Sequence, residues 1–329
     1  ALDTDDVNKP GTALVVGVQQ GGIGDQVNNL TLSGDGASVE FDLDDGDGGD
    51  APDTVTFTGD QDVTLDGAVS ELDGSTATDN TGSGASTTFL ADVDAGADLT
   101  DVGVDTIDLD AATASSGTTV TVANEQAVTL SADITQATPA GLGGALTLKS
   151  TELSSGDETL NLTVASSQTA NKLDVTDFET TNLTVDDGQA ATNTLTLADL
   201  DAGDQTVDVS GSDDLTITTG AAGAIAAGDL TGVLTTTLDA DLTDVTSGDG
   251  DDVIMGVGAS GESTVATGAG DDGITLGDNN QANDVSVDGG TGTDTVTVGG
   301  ANANFVGATQ LTLTNVDVLD LNNKDVDSL

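Results

Sequence analysis

Between Gly289 and Thr297 the chain reads Gly-Gly-Thr-Gly-Thr-Asp-Thr-Val-Thr. This fits the nonapeptide pattern Gly-Gly-x-Gly-x-Asp-x-U-x, where U is a large aliphatic residue. Two further stretches fall in phase with it. Ser247 to Met255 reads Ser-Gly-Asp-Gly-Asp-Asp-Val-Ile-Met, and Thr267 to Thr275 reads Thr-Gly-Ala-Gly-Asp-Asp-Gly-Ile-Thr. Their acids Asp252, Asp272 and Asp294 stand roughly 20 residues apart, about one solenoid coil of two strands and two turns. Each is followed two places on by an aliphatic residue, Ile254, Ile274 or Val296. Glycine permits a tight turn with positive φ, and the aliphatic residue starts a strand that points into the coil. The alternative reading, polar turns with no further role, does not account for a strand residue that recurs in phase.

The residue types in these turns suit a hard cation. Aspartate supplies an anionic oxygen, and glycine brings backbone carbonyls close, which together match the oxygen ligation of calcium. The expected ligand set is Gly248, Asp249, Gly250 and Asp252 in the first turn. Gly268, Gly270, Asp271 and Asp272 follow in the second, and Gly290, Gly292 and Asp294 in the third. Ions are expected between consecutive turns, with Asp252 facing oxygens near Gly268 and Gly270, and Asp272 those near Gly290 and Gly292. The acidic stretch from Asp42 to Asp53 reads as a degenerate copy, with Asp45, Asp47, Asp50 and Asp53 as ligands; a solvated loop is the other reading.

The rest of the chain carries short alternations of Leu, Val or Ile with Thr or Asp. Examples are Leu30-Thr-Leu, Ala127-Val-Thr-Leu, Leu160-Asn-Leu-Thr-Val, Thr194-Leu-Thr-Leu and Leu215-Thr-Ile. A period of two puts apolar side chains on one face, and β-branched residues favour strand. The alternations recur every 10 to 14 residues or so, with Gly, Asp, Ser and Asn between them, as in a sandwich, barrel or solenoid. Few aromatics favour the narrow interior of a solenoid, since a sandwich core usually buries larger rings. The expected fold is an all-β parallel β-solenoid, a β-roll or β-helix with calcium-binding Gly/Asp-rich turns. About 15 coils stacked roughly 4.8 Å apart give a rod on the order of 70 Å long.

Three regions are expected: an N-terminal strand or assembly segment over 1–29, a Thr-rich solenoid over 30–246, and a calcium-binding roll with C-terminal coils over 247–329. The apolar run Thr12-Ala-Leu-Val-Val-Gly-Val is an assembly contact or simply the first coil. The stretches from Leu90 and Leu197 echo each other, as duplicated coils or a shared turn with a little helix, and Ala221 to Ala227 reads as a short helix or a loop.

Composition narrows the function. Among 329 residues, 59 are acidic and 4 basic, a formal charge of −55. The bases are all lysines: Lys9, Lys149, Lys172 and Lys324. Such charge repels itself in a compact state, so divalent cations or salt must offset it. It excludes nucleic acid, whose binding needs a basic stripe. A hydrophobic content of 36% and the regular alternation argue against disorder. No apolar run approaches the 20 or so residues of a transmembrane span. With no His, no Cys, no Trp and no Tyr, there is no imidazole base, zinc site or thiol nucleophile. A carboxylate pair could cleave glycans, but the aromatic platforms and basic residues such sites use are missing. No enzyme is expected. The chain opens without Met or a secretory leader and reads as a mature or trimmed piece.

The three Gly-Asp turns resemble the repeats-in-toxin calcium β-roll. Asp177-Phe-Glu-Thr-Thr-Asn-Leu-Thr-Val and Leu313-Thr-Asn-Val-Asp-Val-Leu-Asp-Leu are similar to coils of crystalline surface-layer proteins exported by Gram-negative type I secretion. The resemblance implies a secreted, extracellular protein at the cell surface. It implies self-assembly with calcium into a lattice or fibre, with cell-surface polysaccharide as a further partner reached through calcium. A stiff spacer segment of a large secreted adhesin is the alternative. The chain departs from the family in its longer coils, in Ser247 and Thr267 where the first glycine belongs, and in Gly273 at a strand start.

Overall fold

The computed structural model describes residues 14–17, 29–34, 38–42, 52–93, 95–112, 118–131, 146–150, 158–166, 168, 171–186, 188, 192–198, 205–219, 223–238, 242–258, 262–277, 284–299 and 311–322. The fold is an all-β parallel β-solenoid, as the turns and alternations led us to expect. Among the described residues the single helical element is one 3-10 turn, Val69–Leu72. The chain divides into two compact units, Ala1–Asn161 and Leu162–Leu329.

In the first unit one sheet runs through Leu14–Gly17, Val39–Asp42, Val63–Ala68, Thr87–Val93, Thr106–Ala112 and Ala127–Leu130, each strand parallel to the next. The intervening strands form the second face: Asn29–Gly34, Thr54–Gly59 and Thr76–Thr81, then Ala97–Asp98, Thr119–Val122 and Leu146–Ser150. Alternate strands therefore pair with alternate strands, the signature of a coil wound on itself. Leu65, Phe89, Ile107 and Val128 lie in register and are buried, so like residues stack from coil to coil. Burial of each such side chain is worth about 1.5–3 kcal/mol.

The second unit repeats the scheme. One sheet holds Thr180–Val185, Thr206–Gly211, Ala224–Leu230, Asp244–Thr246, Ser263–Ala266, Val285–Asp288 and Leu311–Thr314. The other holds Asn171–Thr176, Asn193–Ala198, Leu215–Thr219, Leu234–Thr237, Val253–Val257, Gly273–Leu276, Thr295–Val298 and Val318–Asp320. The core between them is narrow: Val207, Ile225, Val245, Val265 and Val287 on one wall, Ile217, Ile254, Ile274 and Val296 on the other.

Strand pairing decides two local readings that the sequence left open. The Ala/Gly stretch read as a short helix or a loop is a strand from Ala224 onward. Helix propensity of alanine is a weak preference, and here Ala224 and Ile225 pair with Thr206 and Val207. The echo from Leu90 to Val93 is likewise strand, within Thr87–Val93, not helix.

Candidate cation column

Period-two alternation carries Asp252 onto the face of Ile254, Asp272 onto that of Ile274 and Asp294 onto that of Val296. Those faces are the interior. Asp252 is 0% exposed, Asp272 2% and Asp294 0%. Asn193, Leu215 and Leu234 occupy the same inward row in earlier coils, and Leu234 lies next to Asp252, one place before the paired Thr235 and Val253. Three consecutive coils thus place a carboxylate where the preceding two place leucine.

Each carboxylate spends one oxygen on the coil before it. Asp252 Oδ1 accepts from the Leu234 N–H at 2.7 Å, Asp272 Oδ1 from the Asp252 N–H at 2.8 Å, and Asp294 Oδ1 from the Asp272 N–H at 3.1 Å. Asp317 adds a further rung, its Oδ2 accepting from the Asp294 N–H at 3.1 Å. The other oxygen of the buried three, Oδ2 of Asp252, Asp272 and Asp294, has no hydrogen-bond donor. Burial pushes the Asp252 carboxyl up to about 6, opposed by the Ser247 hydroxyl and the Leu234 N–H. Burial likewise raises Asp272, against the Asp252 N–H and the Thr267 hydroxyl.

A second acidic ladder runs outside the first in the opposite sense. Asp251 Oδ1 accepts from the Asp271 N–H of the following coil, and Asp271 Oδ1 from the Thr293 N–H, both at 2.8 Å. Asp249, Asp251 and Asp271 are exposed.

The turn glycines stack in two columns. A Cβ on Gly268 would collide with the Gly248 carbonyl, and one on Gly290 with that of Gly268. Gly250, Gly270 and Gly292 repeat this one position over. Gly290 at φ 79° and Gly292 at φ 139° also need the left-handed region. The Gly248 and Gly268 carbonyls accept from Ala269 and Thr291, each at 2.8 Å, which holds successive turns in contact.

The expected residues therefore separate. Asp252, Asp272 and Asp294 stack one per coil as a buried column; Gly248, Gly250, Gly268, Gly270, Gly290 and Gly292 form its close-packed turns. Asp249 and Asp271 stay outside. Asp53 is exposed, and Asp45, Asp47 and Asp50 lie outside the described residues. The hydrogen-bonding oxygen of each buried Asp reaches the backbone of the preceding coil. Asp317 was missed because no glycine run precedes it; its signal was the aliphatic pair Val318-Leu319 after an acid.

Among the described residues, no group of three or more His, Cys, Asp or Glu converges as a metal site. Additional oxygens would have to be backbone carbonyls and hydroxyls. Oδ2 atoms with no donor are the kind of partner a cation can satisfy, because a buried anion without compensation is costly. No helix among the described residues is long and apolar enough to cross a membrane. No protein-family model, curated protein or solved structure matches this chain.

Proposed function

We propose that this chain is a calcium-dependent structural subunit, secreted and self-assembling into an extracellular surface layer or matrix fibre. The observation that carries the reading is the inward column of Asp252, Asp272 and Asp294, each with a donorless Oδ2. Three anions in a row of leucine positions demand counter-charge, and the chain has only 4 basic residues to offer. A divalent cation in reach of two successive coils supplies it. Calcium fits an all-oxygen environment better than magnesium, which demands near-ideal octahedral geometry and gives up water reluctantly.

The structural role follows from what the sequence offers chemically. It holds no imidazole or thiol, and its acids serve as hydrogen-bond rungs and turn residues. In this reading a calcium-rich exterior medium folds the roll after export, the cations offsetting the self-repulsion of so acidic a chain. Repeats-in-toxin resemblance and the type I route belong to this same reading, as does cell-surface polysaccharide bridged by calcium.

Negative-stain microscopy of the full chain with and without millimolar calcium tests it. Regular sheets or fibres that vanish with chelator support the proposal. Isolated particles at every calcium level leave the adhesin-spacer role instead.

A further inference from the structure

The three residues that open the Gly-Asp turns are Ser247, Thr267 and Gly289. The nonapeptide has glycine at that place, so the first two read as departures. In the fold they are not idle. Ser247 is 2% exposed and Thr267 0%. The Ser247 hydroxyl lies against the Asp252 carboxylate, and the Thr267 hydroxyl against that of Asp272.

A hydroxyl has one proton and two lone pairs. Ser247 Oγ donates to the Thr267 carbonyl at 3.1 Å, and Thr267 Oγ1 to the Gly289 carbonyl at 3.0 Å. The same proton cannot also serve the carboxylate, and Oδ2 of Asp252 and Asp272 lacks a donor. Turning the hydroxyl toward the carboxylate would only transfer the deficit to the carbonyl. Each of these two coils is therefore one donor short, since the single hydroxyl proton serves the carbonyl or the carboxylate but not both. A cation between hydroxyl and carboxylate removes the conflict without breaking either hydroxyl-to-carbonyl bond.

The third coil differs. Gly289 has no hydroxyl, and none can be added there: a Cβ would stand 2.5 Å from the Asn315 carbonyl oxygen and 2.7 Å from Asp294 Oδ2.

We propose that Ser247 and Thr267 are cation ligands, Oγ of Ser247 with Oδ2 of Asp252 and Oγ1 of Thr267 with Oδ2 of Asp272, each pair holding one calcium-class ion. The inference rests on the calcium reading above and adds that the two substitutions for glycine strengthen their sites. The sites then fall into two classes, hydroxyl-assisted at Asp252 and Asp272 and unassisted at Asp294.

The test uses the full chain in low salt, with Thr267→Val, Thr267→Ser and Ser247→Ala. Calcium uptake is followed by titration calorimetry, and melting curves are recorded with calcium and with chelator. Thr267→Val keeps the shape and deletes the ligand. It is expected to weaken one of the two hydroxyl-assisted sites about tenfold, the size of one polar contact, and to shrink the calcium-dependent gain in melting temperature. Thr267→Ser restores both, while the chelated melting temperature changes less than the calcium-loaded one. Should Thr267→Val fail to fold, Ser247→Ala, which loses a single oxygen, decides the matter by the same readouts.

A wild-type chain that takes up calcium, with Thr267→Val and Ser247→Ala titrating identically to it, overturns the hydroxyl assignment alone. A Thr267→Ser variant as weak as Thr267→Val overturns it too. A wild-type chain that takes up no calcium overturns this inference together with the calcium reading beneath it.

Discussion

The backbone N–H of Asp252 donates to Oδ1 of Asp272, one coil later, at 2.8 Å. That bond makes the carboxylate of one coil the cap for the backbone of its predecessor. It fixes the carboxylate inside the coil and commits one of its two oxygens. Everything the column can do chemically is left to the other.

Calcium should therefore raise the stability of Leu162–Leu329 steeply. Extracellular calcium modules bind with dissociation constants of about 10⁻⁴ to 10⁻³ M, and a hundredfold excess stabilises by about 2.7 kcal/mol per site. Thermal melts followed by circular dichroism, with millimolar calcium and with chelator, measure this. Superimposable curves would end the calcium reading.

Replacing Asp272 with Asn separates charge from shape. The variant should lose calcium affinity, yet in chelator it should melt at or above the wild-type temperature, because a neutral amide brings N–H donors to a place short of them. Asp108→Asn is the control: Asp108 also has a carboxylate oxygen without a donor, but it is only half-buried on an outward face. Its calcium response should stay close to wild type. Equal losses in the two variants contradict a special role for the column.

Much of this was legible in advance. The three in-phase pairs Asp252/Ile254, Asp272/Ile274 and Asp294/Val296 imply stacked coils, and the structure has them. The inward direction of the acids was legible as well, since a residue two places before an inward isoleucine shares its face. What no single sequence displays is the hydrogen-bond direction, set by stacking between residues some 20 apart: inner carboxylates reach backward and the outer Asp251 and Asp271 forward. Ala224–Leu230 was misread for a related reason, as its strand state comes from pairing with Thr206–Gly211 and not from its own composition.

Acidification should stabilise the chelated protein. The folded pKa of Asp252 is raised from 3.8 to about 6, so the folded state binds its proton more tightly than the unfolded one. That contribution is complete below pH 3.8, declines between the two values and is gone above about 6. Asp272 is shifted the same way. Calcium must displace these protons, so its stabilisation should be largest at neutral pH. General charge repulsion changes in the same direction, and Asp252→Asn in chelator distinguishes the two. Its stability should vary less between pH 5 and pH 7.5 than wild type's. An unchanged slope assigns the effect to global charge.

Glycine replacement tests the stacked turns. Gly292 has φ 139° and a Cβ there would run into the Gly270 carbonyl, whereas Gly188 has φ 66° and open space around it. Gly188→Ala should cost about 1–2 kcal/mol, the left-handed penalty alone. Gly292→Ala should cost more, since the turn must also separate from its neighbour, and calcium affinity should fall with it. Denaturant titrations in calcium compare the two. Equal costs would mean that the turns are not in contact as described.

Among the described residues, Leu14–Gly17 is the edge strand of its sheet, four uncharged residues paired with Val39–Asp42. An uncharged edge strand is a template for another chain, and a body carrying −55 needs divalent cations before another copy can approach. Deleting Ala1 to Gln20 transfers the edge to Val39–Asp42, which carries Glu40 and Asp42. Charged residues on an edge strand oppose pairing. The truncated chain should therefore require more calcium to assemble, read as a higher threshold in light scattering, while sodium chloride at matched ionic strength assembles neither form. Assembly of both forms at one calcium threshold would place the contact elsewhere in the molecule.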